Sequence, residues 1–353
     1  MPEPIAMKRK VIPYPQARLE NLDADVGIEL PAGWDNQKRI HVIPKFLIIG
    51  AQKCGTTALS RWLSVHPNLQ TMPLEWHFFD EVTNLKTDWS RYVLNPYFYL
   101  RDPQQVFYTF EKTPDYFDKA NSKGVSAARL IHQMMPSAKF ILLLRNPTSR
   151  AHSVYKMRVR QIASPLQYSR LADRQLQHIE RALSLDQFSP SQSDVIPFTE
   201  MVKALMRQSH TGDQHALFTK EEQRMLTIGQ YAKHLQNWFK YFDRNEQFLI
   251  LFMEDFQKNP FEVMKRVLDF IEVPQINYHS ITEKKQDQLW ELTGFNNILN
   301  IIKNDKKPAW LNAYLGPMDT EAKDLLDNYF APWNEKLVDL LPDQTIPWMD
   351  GKK

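Results

Sequence analysis

Four short, almost uninterrupted apolar runs punctuate the chain, and between them apolar residues recur at helical spacing. The first, Phe46-Leu47-Ile48-Ile49, is bounded by Pro44 and Gly50. Its length and two-sided apolar character predict a strand buried in a parallel sheet. A glycine-containing turn follows, and Leu59, Trp62 and Leu63 then fall on one helical face. Further strands are predicted at Val106–Phe110, Lys139–Leu144 and Phe248–Phe252, with a helix over Ser126–Met135 between the first two of these. Helices are also predicted at Ser149–Val159 and Leu171–Leu183, along the line Tyr231, Leu235, Trp238, Phe239 and Phe242, and through Val263, Val267, Leu268 and Ile271. Phe188–Ile196 reads as a loop. The alternation predicts an α/β fold, a doubly wound parallel sheet in one domain over residues 44–345 with C-terminal helices. Residues 160–225 are expected to form a helical insertion over its edge, and 346–353 a tail. Residues 1–43 lack periodicity and carry Pro2, Pro4, Pro13, Pro15 and Pro31, which suits an arm lying on the surface better than a folded layer.

Composition narrows the classes. The 353 residues carry 44 Lys plus Arg against 41 Asp plus Glu, a net charge of +3, with 43% hydrophobic residues. That is a globular balance, and its interspersed signs argue against a nucleic-acid partner. A single cysteine, Cys54, excludes an internal disulfide and a Cys-rich zinc module. No apolar run reaches membrane-spanning length and no leader-type apolar segment is found, so the expectation is a soluble, cytoplasmic protein.

The chemistry concentrates in two segments. Gly50-Ala51-Gln52-Lys53-Cys54-Gly55-Thr56-Thr57 lies where an α/β fold binds anions, between the end of a strand and the start of a helix. Gln52, Lys53, Cys54, Gly55, Thr56 and Thr57 are the candidate contacts. The two glycines imitate a Walker A loop, but that motif needs lysine directly after the second glycine, where this chain has Thr56. With the lysine inside the loop at Lys53, a nucleoside triphosphatase is disfavoured. A loop that grips a 5′-phosphate while its lysine reaches the transferring group is favoured; a plain glycine turn with a solvated lysine is the bland alternative. In the second segment, Phe140 to Ser153, Arg145 stands at a strand end and Ser153 about a turn into the next helix. Both can converge on a second anion, although a salt-bridging arginine and a packed serine would look the same. Two phosphate grips imply a doubly phosphorylated nucleotide.

These segments resemble the sulfotransferases that use 3′-phosphoadenosine 5′-phosphosulfate (PAPS), most closely the heparan sulfate N- and 3-O-sulfotransferase branch. Lys45–Leu63 is similar to that family's 5′-phosphosulfate loop and Phe140–Tyr155 to its 3′-phosphate segment. Between them, Glu75-Trp76-His77-Phe78-Phe79-Asp80 resembles its Glu-x-His-Phe-Phe-Asp stretch, and Phe110-Glu111-Lys112-Thr113-Pro114-Asp115-Tyr116-Phe117 its Glu-Lys-Thr-Pro-x-Tyr-Phe stretch. Weaker similarity runs through Gly229-Gln230-Tyr231, Trp238 and Met318–Leu337, so the resemblance covers residues 45–345.

The resemblance implies sulfuryl transfer from PAPS, leaving the adenosine bisphosphate (PAP), to a hydroxyl or amine of a carbohydrate or small molecule. It assigns Glu75 as general base, with His77 and Asp80 as its supporting pair, Lys53 at the bridging oxygen of the leaving phosphate, and Lys112 at the acceptor and sulfuryl group. Because a related cytosolic branch uses histidine, His77 competes for the role of base. Trp76, Phe78 and Phe79 suggest a desolvated setting for Glu75. Lys306 and Lys307 belong to the segment expected to cover the nucleotide, although Lys303–Pro308 departs from the family's Gly-rich form. His210 and His215 belong to no recognisable ligand set, and no metal is expected. Neither the membrane anchor nor the C-terminal disulfide associated with the heparan branch is expected here, so a small molecule or lipid-linked sugar stands beside a long polysaccharide as acceptor. A P-loop kinase using ATP and Mg²⁺ is the alternative activity; a non-catalytic anion scaffold would leave Glu75, His77 and Asp80 unexplained.

Overall fold

The structure, a computed structural model, describes residues 10–13, 26–29, 40–72, 74–95, 97–100, 108–163, 195–211, 218–278 and 311–349. The chain divides into two compact units: residues 1–145, 231–283 and 345–353 form one, and 146–230 with 284–344 the other.

The first unit begins with strands the sequence reading did not find. Lys10–Pro13 (β1), Val26–Glu29 (β2) and Ile40–His41 (β3) lie in the stretch read as a surface arm. With Tyr99–Leu100 (β6) they make a four-stranded sheet in the order β1-β2-β3-β6. Strands of two to four residues are too short for an alternating pattern to emerge. Pro13 stands at the end of β1, where a missing N–H does the least harm.

The main sheet is five-stranded and wholly parallel, in the order β5-β7-β4-β8-β9. Its strands are Phe46–Gly50 (β4), Leu69–Thr71 (β5), Tyr108–Lys112 (β7), Lys139–Leu144 (β8) and Phe248–Phe252 (β9). Phe46 to Ile49 and Phe140 to Leu144 are fully buried, as both-faced burial of a parallel sheet requires. Two strands match the reading of the sequence closely. For β7, Val106 and Phe107 lie outside the described residues and the strand continues to Lys112. β5 went unread because Leu69-Gln70-Thr71 is short and only one residue of it is apolar.

From β4 the chain moves out to β5, returns to β7 on one side of β4, and then crosses to β8 on the other. The carboxyl end of β4 is therefore the switch point, where open α/β sheets place their ligands. Aromatic packing holds the strands in register there and behind. Phe46 stacks on Phe110 at 5.0 Å, and Phe140 meets Phe242, Trp238 and Phe248 at 4.5–5.0 Å. The Trp238 indole donates to Phe117 O at 3.0 Å, so this buried ring keeps its hydrogen bond. The helices of this unit include Thr56–Ser64 (α1), Phe78–Glu81 (α2), Leu85–Val93 (α3) and Ala127–Met134 (α4).

The second unit is helical. Pro147–Ala163 (α5) and the helices Phe198–Thr211, Lys220–Thr227 and Thr320–Leu340 contribute to one apolar cluster that includes Val154, Val202, Leu205, Met225 and Phe330. Thr219 and Glu222 form a capping box at the start of 220–227. The helix expected at Leu171–Leu183 and most of the loop expected at Phe188–Ile196 lie outside the described residues. Among the described residues no helix is long and apolar enough to cross a membrane.

Candidate active site

β4 ends at Gly50 because a side chain there has no room: a Cβ would stand 2.6 Å from Phe117 Cβ and 3.1 Å from Pro114 O. The loop that follows turns through Lys53 at φ 68° and Gly55 at φ 95° and enters α1 at Thr56. Gly55 is the N-cap of α1 and supplies no capping side chain, and the first turn holds no acidic residue. The helix thus offers amide donors and positive dipole to an anion, with Lys53 beside it. Arg145, just past β8, donates through Nη1 to Lys53 O at 3.5 Å. Tyr231 joins the same place: its hydroxyl donates to Arg145 O at 2.8 Å and lies 3.6 Å from Cys54 Sγ. Cys54 is fully buried, and its amide donates to Ala51 O at 3.1 Å. Gln52 and Lys53 are half-buried and Thr57 is exposed.

Gly55 is sensitive to substitution through its backbone conformation. Gly55→Ala forces an L residue into the left-handed region and sets a Cβ 2.4 Å from Met253 Sδ. The methionine can swing away, so the backbone term dominates, and a loss on the order of 1–3 kcal/mol is expected in a denaturant melt.

The second cluster stands at the end of β7, which pairs with β4 at Ile48↔Lys112. Lys112 Nζ lies 2.6 Å from Glu75 Oε1, and His77 Nε2 lies 3.4 Å from Glu75 Oε2. On its other side His77 Nδ1 is 2.8 Å from Asp80 Oδ2 and 3.8 Å from Asp115 Oδ2. Lys119 in turn reaches Asp115 at 2.6 Å. Four of the five expected catalytic residues, Glu75, His77, Asp80 and Lys112, therefore form one contiguous group. His77 Nδ1, Asp80 and Asp115 also present three potential ligand atoms within 4.8 Å of one another, the one such group among the described residues.

One expectation is corrected. The aromatic neighbours of Glu75 do not wrap it: Phe78 and Phe79 are buried against Tyr92 and each other at 5.0 Å, while the Glu75 side chain stays 35% exposed. The chain turns at His77 (φ 51°), which sends the phenylalanines inward and leaves the carboxylate at the surface facing its lysine.

Under this turn sits a network the sequence reading did not single out. Glu111 is fully buried and accepts from Thr113 Oγ1 at 2.8 Å, Tyr116 Oη at 2.6 Å and Tyr92 Oη at 2.6 Å. Burial pushes its carboxyl up to about 7 against the pull of those three hydrogen bonds, with a further upward push from the Asp80 charge. Burial and the Glu111 charge also hold both tyrosine hydroxyls well above their usual range. The available signal was a glutamate inside a short strand with aromatic neighbours, Tyr-Thr-Phe-Glu-Lys.

Ser153 is half-buried on α5 in the second unit, and Lys306 and Lys307 lie outside the described residues.

A parallel α/β sheet carries a glycine loop and an uncapped helix start at its switch point, with a carboxylate-lysine-histidine group on the neighbouring strand end. The sulfotransferase domain family matches residues 44–304, and the chain belongs to that family. It is 28% identical over 245 residues to a bifunctional heparan sulfate N-deacetylase/N-sulfotransferase 1 of Caenorhabditis briggsae, covering 67% of this chain and 24% of that protein. It is 29% identical over 233 residues to a heparan sulfate glucosamine 3-O-sulfotransferase 6 of Mus musculus, covering 66% of this chain and 53% of that one. The chain thus spans about a quarter to a half of the length of these relatives. Among solved structures, a sulfotransferase from Alicyclobacillus acidocaldarius matches at 21% identity and a TM-score of 0.48, covering 86% of this chain and 97% of that chain.

Proposed function

We propose that this chain transfers a sulfuryl group from PAPS to a hydroxyl or amine of a carbohydrate acceptor. The observation that carries the reading is the contact of Glu75 with both Lys112 and His77 at the end of β7, the strand next to the one that opens into the anion loop. Family membership and the heparan sulfate relatives support the carbohydrate.

The residues present suit the donor. The uncapped start of α1, the left-handed Gly55 and the loop lysine fit a 5′-phosphosulfate, and Arg145 fits a second phosphate. Ser153 is assigned to the same phosphate, and Lys306 and Lys307 to the cover of the nucleotide, on the resemblance alone. PAPS supplies the sulfuryl group and a phosphate leaving group. Glu75 takes the proton of the acceptor as its oxygen or nitrogen bonds to sulfur and the sulfur–phosphate oxygen bond breaks. Lys112 pairs with the carboxylate at 2.6 Å before the acceptor arrives and is assigned, on the resemblance, to the sulfuryl oxygens afterwards. His77 stands between two carboxylates, with Nδ1 2.8 Å from Asp80 and Nε2 3.4 Å from Glu75, beside the proposed base. The kinase alternative is disfavoured because Thr56 stands where a triphosphate loop needs its lysine.

A thermal-shift titration tests the donor. At about 100 times its dissociation constant, PAP stabilises the fold by about 2.7 kcal/mol, and ATP with Mg²⁺ gives less at equal concentration. Stabilisation by ATP with Mg²⁺ alone removes the sulfotransferase reading and installs the kinase. For the acceptor, N-desulfated heparan sulfate offers both free amines and hydroxyls, and labelled sulfate from PAPS is followed into it.

A further inference from the structure

Glu75 and His77 belong to a turn with little to hold it. α2 is four residues long, its N-cap His77 is left-handed, and no side chain caps it within the segment. Four consecutive amides, Trp76 to Phe79, stand at a helix start that by itself offers them no acceptor. In the structure all four end on two hydroxyls. Thr113 Oγ1 accepts from Trp76 N at 3.1 Å and His77 N at 3.5 Å; Tyr116 Oη accepts from Phe78 N at 2.9 Å and Phe79 N at 3.4 Å.

We propose that Glu111 is the positioning residue of the active site: through Thr113 and Tyr116 it fixes the backbone of Trp76–Phe79 and so sets Glu75 against Lys112. The donor directions follow from elementary chemistry. A backbone N–H can only donate, so each hydroxyl must accept there and has one proton left to give. Both protons go to the same oxygen, Glu111 Oε1, at 2.8 and 2.6 Å. Tyr92, from α3, gives its proton to Oε2 at 2.6 Å, and Asp80 of α2 is the other charge acting on the group. Strand geometry couples this anchor to the chemistry. Neighbouring residues of β7 point to opposite faces, so Glu111 reaches the turn from inside while Lys112 reaches Glu75 from the site. One strand end therefore grips the catalytic turn twice, by the Lys112 ammonium on Glu75 and by the Glu111 carboxylate through Thr113 and Tyr116.

The inference rests on the reading of Glu75 as the base, and its test separates the two. An amide at position 111 keeps Oε1 for Thr113 and Tyr116 and can donate to Tyr92, as a protonated carboxyl would; a leucine keeps the volume and offers no acceptor. Glu111→Gln is thus expected to retain turnover within about threefold, whereas Glu111→Leu loses about 10- to 100-fold in kcat with PAP affinity unchanged. Hydrogen exchange provides a readout independent of activity. In Glu111→Leu the amides of residues 76–79 exchange about five- to tenfold faster than in wild type, and in Glu111→Gln they do not. Should the leucine variant fail to fold, Thr113→Val serves, expected to release Trp76 and His77 while sparing Phe78 and Phe79.

Equal kcat for the glutamine and leucine variants, or unchanged exchange in folded Glu111→Leu and Thr113→Val, overturns the proposal. So does a parallel fall in kcat and PAP affinity, which marks general damage to the fold. Absence of transfer to N-desulfated heparan sulfate by the wild type counts against the functional reading only, because the exchange measurement decides the anchor without it.

Discussion

Glu75→Gln is expected to lower kcat by about 10²- to 10⁴-fold, the range spanned by positioned proton transfer, while leaving the affinity for PAP where it was. The substitution is nearly isosteric, and its amide oxygen still accepts from Lys112, so the 2.6 Å contact and the turn around His77 persist. What disappears is the ability to take a proton. Single-turnover measurements with PAPS and excess acceptor place the loss in the chemical step, and PAP titration by thermal shift confirms an intact anion loop. The same experiment decides between two bases that stand 3.4 Å apart. If His77 Nδ1 gives its proton to Asp80, its Nε2 lone pair faces the Glu75 carboxylate, and either group could then receive the proton of the acceptor. Near-normal turnover in Glu75→Gln moves the role to His77. A large loss in Glu75→Gln with a smaller one in His77→Gln keeps it at Glu75 and leaves histidine an orienting part.

The parts of this site that were legible in the sequence are those in which one residue type at one spacing has one use. A buried apolar strand, a glycine turn and a helix with lysine inside the turn were legible as the strand-loop-helix junction that the structure shows, the place where an α/β fold can receive an anion. Glu75, His77 and Asp80 were legible only through resemblance; their convergence with Lys112 depends on β7 returning beside β4, which no local pattern encodes. Glu111 was hidden for a different reason. A glutamate in a strand reads as an exposed position, and its burial becomes sensible only when Tyr92, Thr113 and Tyr116 are seen to surround it. The aromatic residues after Glu75 misled in the opposite sense, since proximity in sequence suggested a dry carboxylate and the left-handed turn at His77 sends the rings away. The N-terminal strands went unseen because two to four residues carry no period, and β3 joins the sheet onward to β6, far along the chain.

The loop lysine carries the other large effect. Lys53→Met is expected to cost about 10²- to 10³-fold in kcat, the scale of removing one preorganised charge-stabilising donor. Lys53 sits in the left-handed region at φ 68°, a conformation that any side chain other than glycine occupies at some cost. Methionine inherits that backbone and most of the side-chain length, so the variant isolates the ammonium. The loop around it is held by contacts that do not involve the ammonium: Arg145 binds the Lys53 carbonyl, Ala51 N donates to Leu143 O at 2.8 Å, and Cys54 N closes back on Ala51 O at 3.1 Å. Charge accumulates on the leaving phosphate oxygen as the sulfuryl group departs, and a lysine that meets it there acts more strongly in the transition state than in the ground state. The loss should therefore fall mainly on kcat, with the KM for PAPS and the affinity for PAP changed severalfold at most. Equal losses in kcat/KM and in PAP affinity, with kcat preserved, would make Lys53 a binding residue and shift the stabilisation of the leaving group to the amides of α1.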